Sequence, residues 1–378
     1  MPSYLVLTEL FLPTKGGTAV WFAEVYRRLS GKETHIVTAD VPGAPEVDAS
    51  HPNSVHRINM RRVTWLRPES LGMYVMLFFK SLALALTHRF DAIHAGRALP
   101  EGLTAWVVAR LTFHPLVIYA HGEELTTWGR GGKYKAMRFA LRHADRVIAN
   151  SEFTRDELIK MDVNQARITL IYPGVDVARF RPGLACADLR QSVGVADGKL
   201  ILSVGRLSRR KGFDQVIKAL PALVNAGLDV QYALIGIGED QDYLLDLARE
   251  QGVANRVHLL GHTSADDLPR WYNACDVFAM PNREINGDTE GFGMVFIEAA
   301  ACGKPTIAGM AGGTAAAVAH ELTGLRINGE NEEEVAHALV RVLRDTELAS
   351  TLGEQGHKRV IKDFAWEQVA VRTARSVG

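Results

Sequence analysis

The sequence predicts an α/β protein built as two doubly wound, Rossmann-like lobes, and three observations carry that reading. Its 378 residues amount to about two to three typical domains. Short, continuously apolar runs recur along it, each followed by a longer helical pattern, which is how strands of a parallel sheet covered on both faces read. A set of five or six such runs occurs twice, so two successive sheets are expected rather than one.

In the first half the strand-like runs are Tyr4–Leu10, His35–Ala39, Ala92–Ala95, Leu116–Ala120, Arg146–Ala149 and Ile168–Tyr172. A helix is expected from about Ala19 to Leu29. Leu71–Leu86 is the most apolar segment, but Lys80 interrupts it, and it falls short of the roughly 20 residues needed to span a bilayer. It predicts a buried helix. In the second half the runs are Leu200–Val204, Tyr232–Ile235, Val257–Leu260, Val277–Met280 and Thr306–Ala308, with helices over Glu330–Leu343, Glu347–Lys362 and Ala365–Val377. Turn formers crowd between the sets: Tyr172-Pro173-Gly174 and then Arg181-Pro182-Gly183. They place a first lobe over 1–180 and a second over 181–362, with the tail 363–378 expected to cross back onto the first.

Composition narrows the classes. Lys plus Arg and Asp plus Glu both number 43, so no basic excess exists to neutralise a nucleic acid, and none is expected as partner. An apolar fraction of 47% with 23% charged residues belongs to a globular enzyme rather than a disordered chain. Cys186, Cys275 and Cys302 are far apart and form no C-x-x-C pair, which argues against a disulfide framework or structural zinc and fits a reducing cytoplasm. Met1–Leu12 lacks a basic start and holds Glu9 in its apolar run, unlike a signal peptide. Charge is unevenly spread: residues 1–180 carry 22 basic and 17 acidic side chains, residues 181–378 carry 21 and 26. Either one lobe meets an anion, or the two lobes attract each other.

Ligands of open parallel sheets bind beyond the carboxyl ends of the strands, and with two lobes the expected site is the cleft between them. Several residues fall at such ends. Gly16-Gly17 precedes a helix whose amides can approach an anion; a plain tight turn is the alternative. His121-Gly122-Glu123-Glu124 follows a strand, placed to touch a polar ligand or to cap the next helix. Arg206 ends another strand and Lys211 follows five residues on, a guanidinium fork and an ammonium that can converge on a diphosphate, or else a solvated basic loop. Gly291-Phe292-Gly293-Met294 opens a helix with free amides. Glu290 before it can accept from hydroxyls, and Glu298 lies in an otherwise apolar helix, where a charge is costly unless bonded. Two further patterns are decoys. Asp240-Gln241-Asp242 imitates a metal-binding D-x-D at a helix start, and Gly236-Ile237-Gly238 lacks the third glycine of a dinucleotide fingerprint.

Together these residues resemble the retaining family 4 glycosyltransferases of GT-B fold. Gly16-Gly17 is similar to their first-strand glycine loop, His121-Gly122-x-Glu124 to their H-G-x-E, Gly205-Arg206-x4-Lys211-Gly212 to their G-R-x4-K-G, and Glu290-x7-Glu298 to their E-x7-E. Within the family, Phe278-Ala279-Met280-Pro281 through Gly312-Gly313 looks most like the bacterial phosphatidylinositol mannosyltransferases. One departure is Gly312-Gly313-Thr314-Ala315-Ala316, where the family usually has G-G-x-P-E.

The resemblance implies transfer of a hexose, mannose from GDP-mannose foremost, with retention and without a metal or other cofactor, to a lipid-linked or saccharide acceptor of the cell envelope. Arg206 and Lys211 would hold the donor diphosphate with help from the amides of Gly17, and Glu290 with the amides of Phe292, Gly293 and Met294 would hold the sugar. Glu298 would bind the ribose diol, Gly261 and His262 the base, and His121 would lie beside the transferred sugar. The first lobe would take the acceptor. The alternatives are a UDP-sugar donor, a nucleotide-sugar epimerase of the same fold, a glycoside hydrolase using Glu290 and Glu298, and a module that binds donor without turning it over. A cytoplasmic protein is expected. The stretch His56–Arg67 interleaves arginines with apolar residues, which predicts either peripheral contact with an anionic membrane or a strand and loop with a solvated basic edge.

Overall fold

A computed structural model describes residues 2–60, 71–127, 131–195 and 197–376. The chain divides into two compact units, 1–173 with 366–378, and 174–365. The division falls at Gly174 rather than at 180 because the intervening residues pack on the second unit: Val175 donates its N–H to the Phe364 carbonyl at 2.8 Å, and the Phe180 ring meets Tyr272 at 5.8 Å. The tail helix Trp366–Arg375 lies against helix Gly17–Tyr26 of the first unit, where Arg28 pairs with Glu367 at 2.9 Å.

In the first unit the strands are β1 (Tyr4–Leu7), β2 (His35–Ala39), β3 (Ser54–Ile58), β4 (Ala92–Ala95), β5 (Leu116–Ala120), β6 (Arg146–Ala149) and β7 (Ile168–Leu170). They form one parallel sheet in the order β3-β2-β1-β4-β5-β6-β7. In the second unit β8 (Lys199–Val204), β9 (Val230–Ile235), β10 (Val257–Gly261), β11 (Val277–Met280), β12 (Thr306–Gly309) and β13 (Gly324–Ile327) form a second parallel sheet, β10-β9-β8-β11-β12-β13. The central strands are buried end to end, as β1, β4, β5 and β11 show. Burial on both faces explains why they read as unbroken apolar runs. Because every pairing is parallel, the carboxyl ends of each sheet lie along one edge, and the loops that leave those ends share it.

Two strands lie outside the expected apolar runs: β13, and β3, which runs into the stretch for which a strand and loop with a solvated basic edge is the alternative. Both are sheet edges. Four of the five residues of β3, among them His56 and Arg57, are only half-buried, so its apolar signal is diluted. The helix Leu71–Thr87 departs in the other direction from the buried helix expected there. It buries Met73, Leu77, Leu84 and Ala85 but exposes Val75, Met76, Phe79 and Leu86. Among the described residues no helix is long and apolar enough to cross a membrane.

Candidate functional site

The second sheet brings its predicted residues to one edge. β8 ends at Val204, and Gly205 then turns at φ 154°, a conformation that favours glycine. Directly behind it, Ile235 leads into Gly236, where a side chain would stand 1.8 Å from the Gly205 carbonyl oxygen. At Gly238 a side chain would meet the Leu207 carbonyl at 2.3 Å. Close backbone crossing accounts for both glycines of the pair. Asp240 of the D-x-D decoy accepts from Arg209 Nε at 3.2 Å, and Arg209 lies over the Tyr243 ring.

Lys211 comes at the end of the short helical turn Arg209–Lys211. Its stem passes under the turn, 3.7 Å from where a Cβ on Gly205 would sit, and its ammonium bonds Glu290 Oε2. Arg210 donates to the same oxygen at 3.0 Å and reaches Asp288 at 3.1 Å. The three side chains are nearly withdrawn from water, at 11% for Lys211, 16% for Arg210 and 13% for Glu290. Burial alone would push the Glu290 carboxyl up, but Lys211 and then Arg210 outweigh it and hold it below the usual carboxylate range. Arg206, at the neighbouring strand end, is exposed and bonds no described residue, so its five donors are open to a ligand.

The loop at Glu290 is pinned by glycines. Gly313 donates its N–H to the Glu290 carbonyl at 2.7 Å, and a side chain at Gly312 would strike that oxygen at 2.2 Å. The Gly312-Gly313 turn thus fixes Glu290, independently of the Pro and Glu that the resemblance leads one to expect after it. Gly293 takes φ 87° and starts the helix Met294–Ala301, where a Cβ would meet the Phe296 ring at 2.6 Å. Glu298, on that helix, is not in the ion cluster: its Oε2 accepts from the Tyr272 hydroxyl at 2.7 Å. Burial pushes its carboxyl up, with Tyr272 and Arg179 opposing. Gly261 ends the edge strand β10, its carbonyl taken by Gly236 N–H at 2.8 Å, and His262 beside it is exposed.

In the first unit Gly16 (φ 128°) precedes helix Gly17–Tyr26 with no side-chain cap, and Gly16 and Gly17 are both exposed. His121 follows β5. Its Nε2 donates to the Gly96 carbonyl at 2.7 Å, its own N–H reaches Glu124 Oε1 at 2.8 Å, and Trp21 of the first helix meets its ring edge-on at 5.6 Å. Burial lowers its pKa, with Glu124 opposing, which favours a neutral ring. The basic stretch is partly structural. Arg57 is bound to Asp48 at 2.7 Å and to the carbonyls of Ala39 and Leu12 at 2.9 and 2.6 Å, so it is not the free membrane-facing cation that the stretch suggests; residues 61–67 lie outside the described residues.

Sequence reading missed Arg210 and Tyr272. Arg210 stands inside the basic run already singled out, but spacing alone does not separate it from Arg209, which faces Tyr243. Tyr272 lies on helix Asp267–Ala274 with no motif to mark it. The two glutamates are tied to different partners, one to cations and one to a phenol.

Comparison with known proteins gives the family and the fold. The family described as "Glycosyltransferase Family 4" matches residues 15–179, and "Glycosyl transferases group 1" matches 187–359. A GDP-mannose-dependent alpha-(1-6)-phosphatidylinositol monomannoside mannosyltransferase of Mycobacterium tuberculosis is 31% identical over 99% of this chain and 97% of its own. A D-inositol 3-phosphate glycosyltransferase of Salinispora arenicola is 30% identical over 93% and 85%. The crystal structure of Anabaena HepE in complex with UDP and glucose superposes with a TM-score of 0.83 at 22% identity, covering 100% of this chain and 99% of that one. With both halves matched and such relatives aligned along nearly its whole length, the chain belongs to the family 4 glycosyltransferases, enzymes of GT-B fold.

Proposed function

We propose that the protein transfers mannose from GDP-mannose, with retention and without a metal, to a lipid-linked acceptor of the cell envelope. The observation that supports this most is the cluster at the edge of the second sheet. Lys211 and Arg210, both largely withdrawn from water, meet on Glu290, and the Arg206 guanidinium, which bonds none of the described residues, stands at the adjoining strand end. The named substrates of the mycobacterial relative favour GDP-mannose and a phosphatidylinositol-type lipid. A UDP-sugar donor is the second reading, favoured by the UDP and glucose in the HepE crystal.

In this reaction the bond from the anomeric carbon to the diphosphate oxygen breaks, and a bond from that carbon to an acceptor hydroxyl oxygen forms on the same face. The acceptor proton leaves on a diphosphate oxygen. Arg206 and Lys211 stabilise the charge that grows on the leaving group, a task that prepositioned cations perform without reorganisation, and the amides of Gly17 assist. Glu290 and the amides of Phe292, Gly293 and Met294 hold the sugar hydroxyls, Glu298 the ribose diol, and Gly261 and His262 the base. His121, neutral and fixed by Gly96, borders the transferred sugar. The protein is cytoplasmic and touches the membrane peripherally, a reading supported by the apolar side chains that helix Leu71–Thr87 exposes.

Calorimetric titration with GDP, UDP and their sugars tests the donor: GDP and GDP-mannose binding tightest is expected, and a preference for UDP overturns it. NMR of the product tests retention through the one-bond coupling between C1 and H1, which separates α- from β-mannosides where the proton–proton coupling does not; the inverted anomer overturns it. Turnover that survives excess EDTA is expected, whereas loss restored by Mn²⁺ would bring Asp240 and Asp242 back into the reaction.

A further inference from the structure

Arg97 and Glu101 take no part in the roles above. Both follow β4, Arg97 just before and Glu101 within the turn Ala98–Gly102, at the edge of the first sheet where His121 also stands. The Glu101 side chain is fully buried. Its Oε1 accepts the Glu9 backbone N–H at 2.8 Å, while its Oε2 is buried with no hydrogen-bond partner among the described residues. Arg97 Nε stands 3.8 Å from Oε1, outside hydrogen-bond distance. The Arg97 side chain is only 24% exposed, and among the described residues its guanidinium donates to nothing. Burial opposes the Arg97 charge, but the carboxylates of Glu101, Glu9, Glu124 and Glu123 outweigh it, so the charge is compensated while the five donors stay open to a ligand at the quarter-exposed surface.

The surroundings say what kind of ligand. Glu9 follows β1, is half-buried and offers a carboxylate free of hydrogen bonds among the described residues. Glu124, after β5, is buried and bonded to the His121 N–H. With Glu101, these carboxylates outnumber Arg97, so a second anion is repelled and a neutral group is not. A ring of hydroxyls satisfies both sides, accepting from Arg97 and donating to Glu9. We propose that Arg97 and Glu9 form the subsite for a neutral polyhydroxylated ring, the acceptor end of the substrate, and that buried Glu101 is the positioning residue that aims Arg97. The proposal rests on the glycosyl-transfer reading and gives it an acceptor chemistry.

Glu101 also gives the subsite a pH dependence. Burial pushes its carboxyl up to about 7, against the pull of Arg97 and the Glu9 N–H, and the Glu9 carboxylate pushes the same way as burial. On helix Leu71–Thr87 the Tyr74 phenol is also under the influence of Glu101, its own pKa raised to about 12 by burial and then by that carboxyl. Above neutrality the ionised carboxylate holds Arg97; below it the hold lapses.

Saturation-transfer NMR on the full chain, with and without GDP, tests this using methyl α-mannopyranoside, myo-inositol and inositol 1-phosphate at tens of millimolar. Wild type is expected to bind a neutral ring in the millimolar range. Arg97→Ala weakens that binding about tenfold, and Arg97→Lys restores only part of it, because an ammonium lacks the planar fork. Glu101→Gln weakens it a few-fold above neutral pH and abolishes the wild-type pH dependence, which a merely structural role would leave intact. Glu9→Gln weakens the same ring about threefold and serves if Arg97→Ala does not fold. GDP affinity stays unchanged in all four variants. No ring bound by a wild type that binds GDP overturns the proposal, and so does Arg97-dependent preference for inositol 1-phosphate over myo-inositol. Arg97-dependent ring binding in a protein that ignores both GDP and UDP supports the subsite while removing the donor reading of the second unit; one that binds UDP alone supports the subsite and replaces GDP by UDP.

Discussion

Glu101 in the first unit and Glu290 in the second are both withdrawn from water beside cations, yet their carboxyls move in opposite directions. Burial raises each. At Glu290 two cations at hydrogen-bond distance reverse it; at Glu101 one cation 3.8 Å away does not. Contact distance and cation number, more than burial, set the sign. The consequence is functional: Glu290 is a fixed negative charge around which a cationic clamp is assembled, whereas Glu101 is a group that titrates near neutrality and loosens its partner when it does.

Lys211→Ala attacks this comparison hardest. It removes a leaving-group cation and leaves Glu290 with Arg210 alone, so turnover falls about a hundredfold or more and the melting temperature drops with it. Arg206→Ala costs a similar factor in turnover but leaves the melting temperature unchanged, because an exposed side chain with no described partner contributes little to the fold. Calorimetry and steady-state kinetics on the same preparations separate the two. Equal thermal losses in both variants would mean that Arg206 is structural, and near-wild-type turnover in both would discard the clamp.

Stability against pH sharpens the contrast between the glutamates. The Glu101 pKa is raised in the folded state from 4.5 to about 7, so between those values the folded chain holds a proton that the unfolded chain has lost. Stability then falls as pH rises through that window, by about 3 kcal/mol from this one group. Glu101→Gln removes the slope, and its stability relative to wild type improves by that amount on going from acid to slightly alkaline solution. Glu290 has the opposite sign. Its depressed pKa contributes stability that is present at neutral pH and lost as pH falls through the folded-state value, so the wild-type advantage over Glu290→Gln disappears in acid. Urea titrations of the three proteins across pH check both signs; parallel curves would show that neither carboxyl is shifted.

Much of this was legible in residues and their spacing, and what was not has physical causes. The central strands announce themselves because both faces are buried. β3 does not, since a half-exposed strand carries His56 and Arg57; β13 is buried except at Arg326, but four residues that include Gly324 and Arg326 are too short and broken to read as an apolar run. Helix Leu71–Thr87 reads as buried from composition alone, but a uniformly apolar segment has no polar face to reveal which side meets water. Lys211, Glu290 and Glu298 follow from a motif. The partners of those residues do not, because Arg210 differs from Arg209 only in which way the turn points it, and Tyr272 reaches Glu298 across 26 positions of sequence. Arg97 and Glu101 carry no pattern at all; only the fold shows that a buried carboxylate oxygen of Glu101 and the Arg97 guanidinium have no hydrogen bond among the described residues.

The smallest effect belongs to Tyr272, and it tests what the second glutamate reads. The phenol is completely buried between Phe180 at 5.8 Å and Phe278 at 5.6 Å, so Tyr272→Phe keeps the packing and deletes only the bond to Glu298. Without that donor, burial raises the Glu298 carboxyl further, and a protonated acid accepts less well from a ribose diol. GDP affinity should fall about threefold to tenfold, and recover in part as pH rises and Glu298 ionises. 2′-Deoxy-GDP, which lacks one of the two hydroxyls, should lose distinctly less. Equal losses for the two nucleotides would show that Glu298 does not read the ribose and that its bond to Tyr272 serves the helix alone.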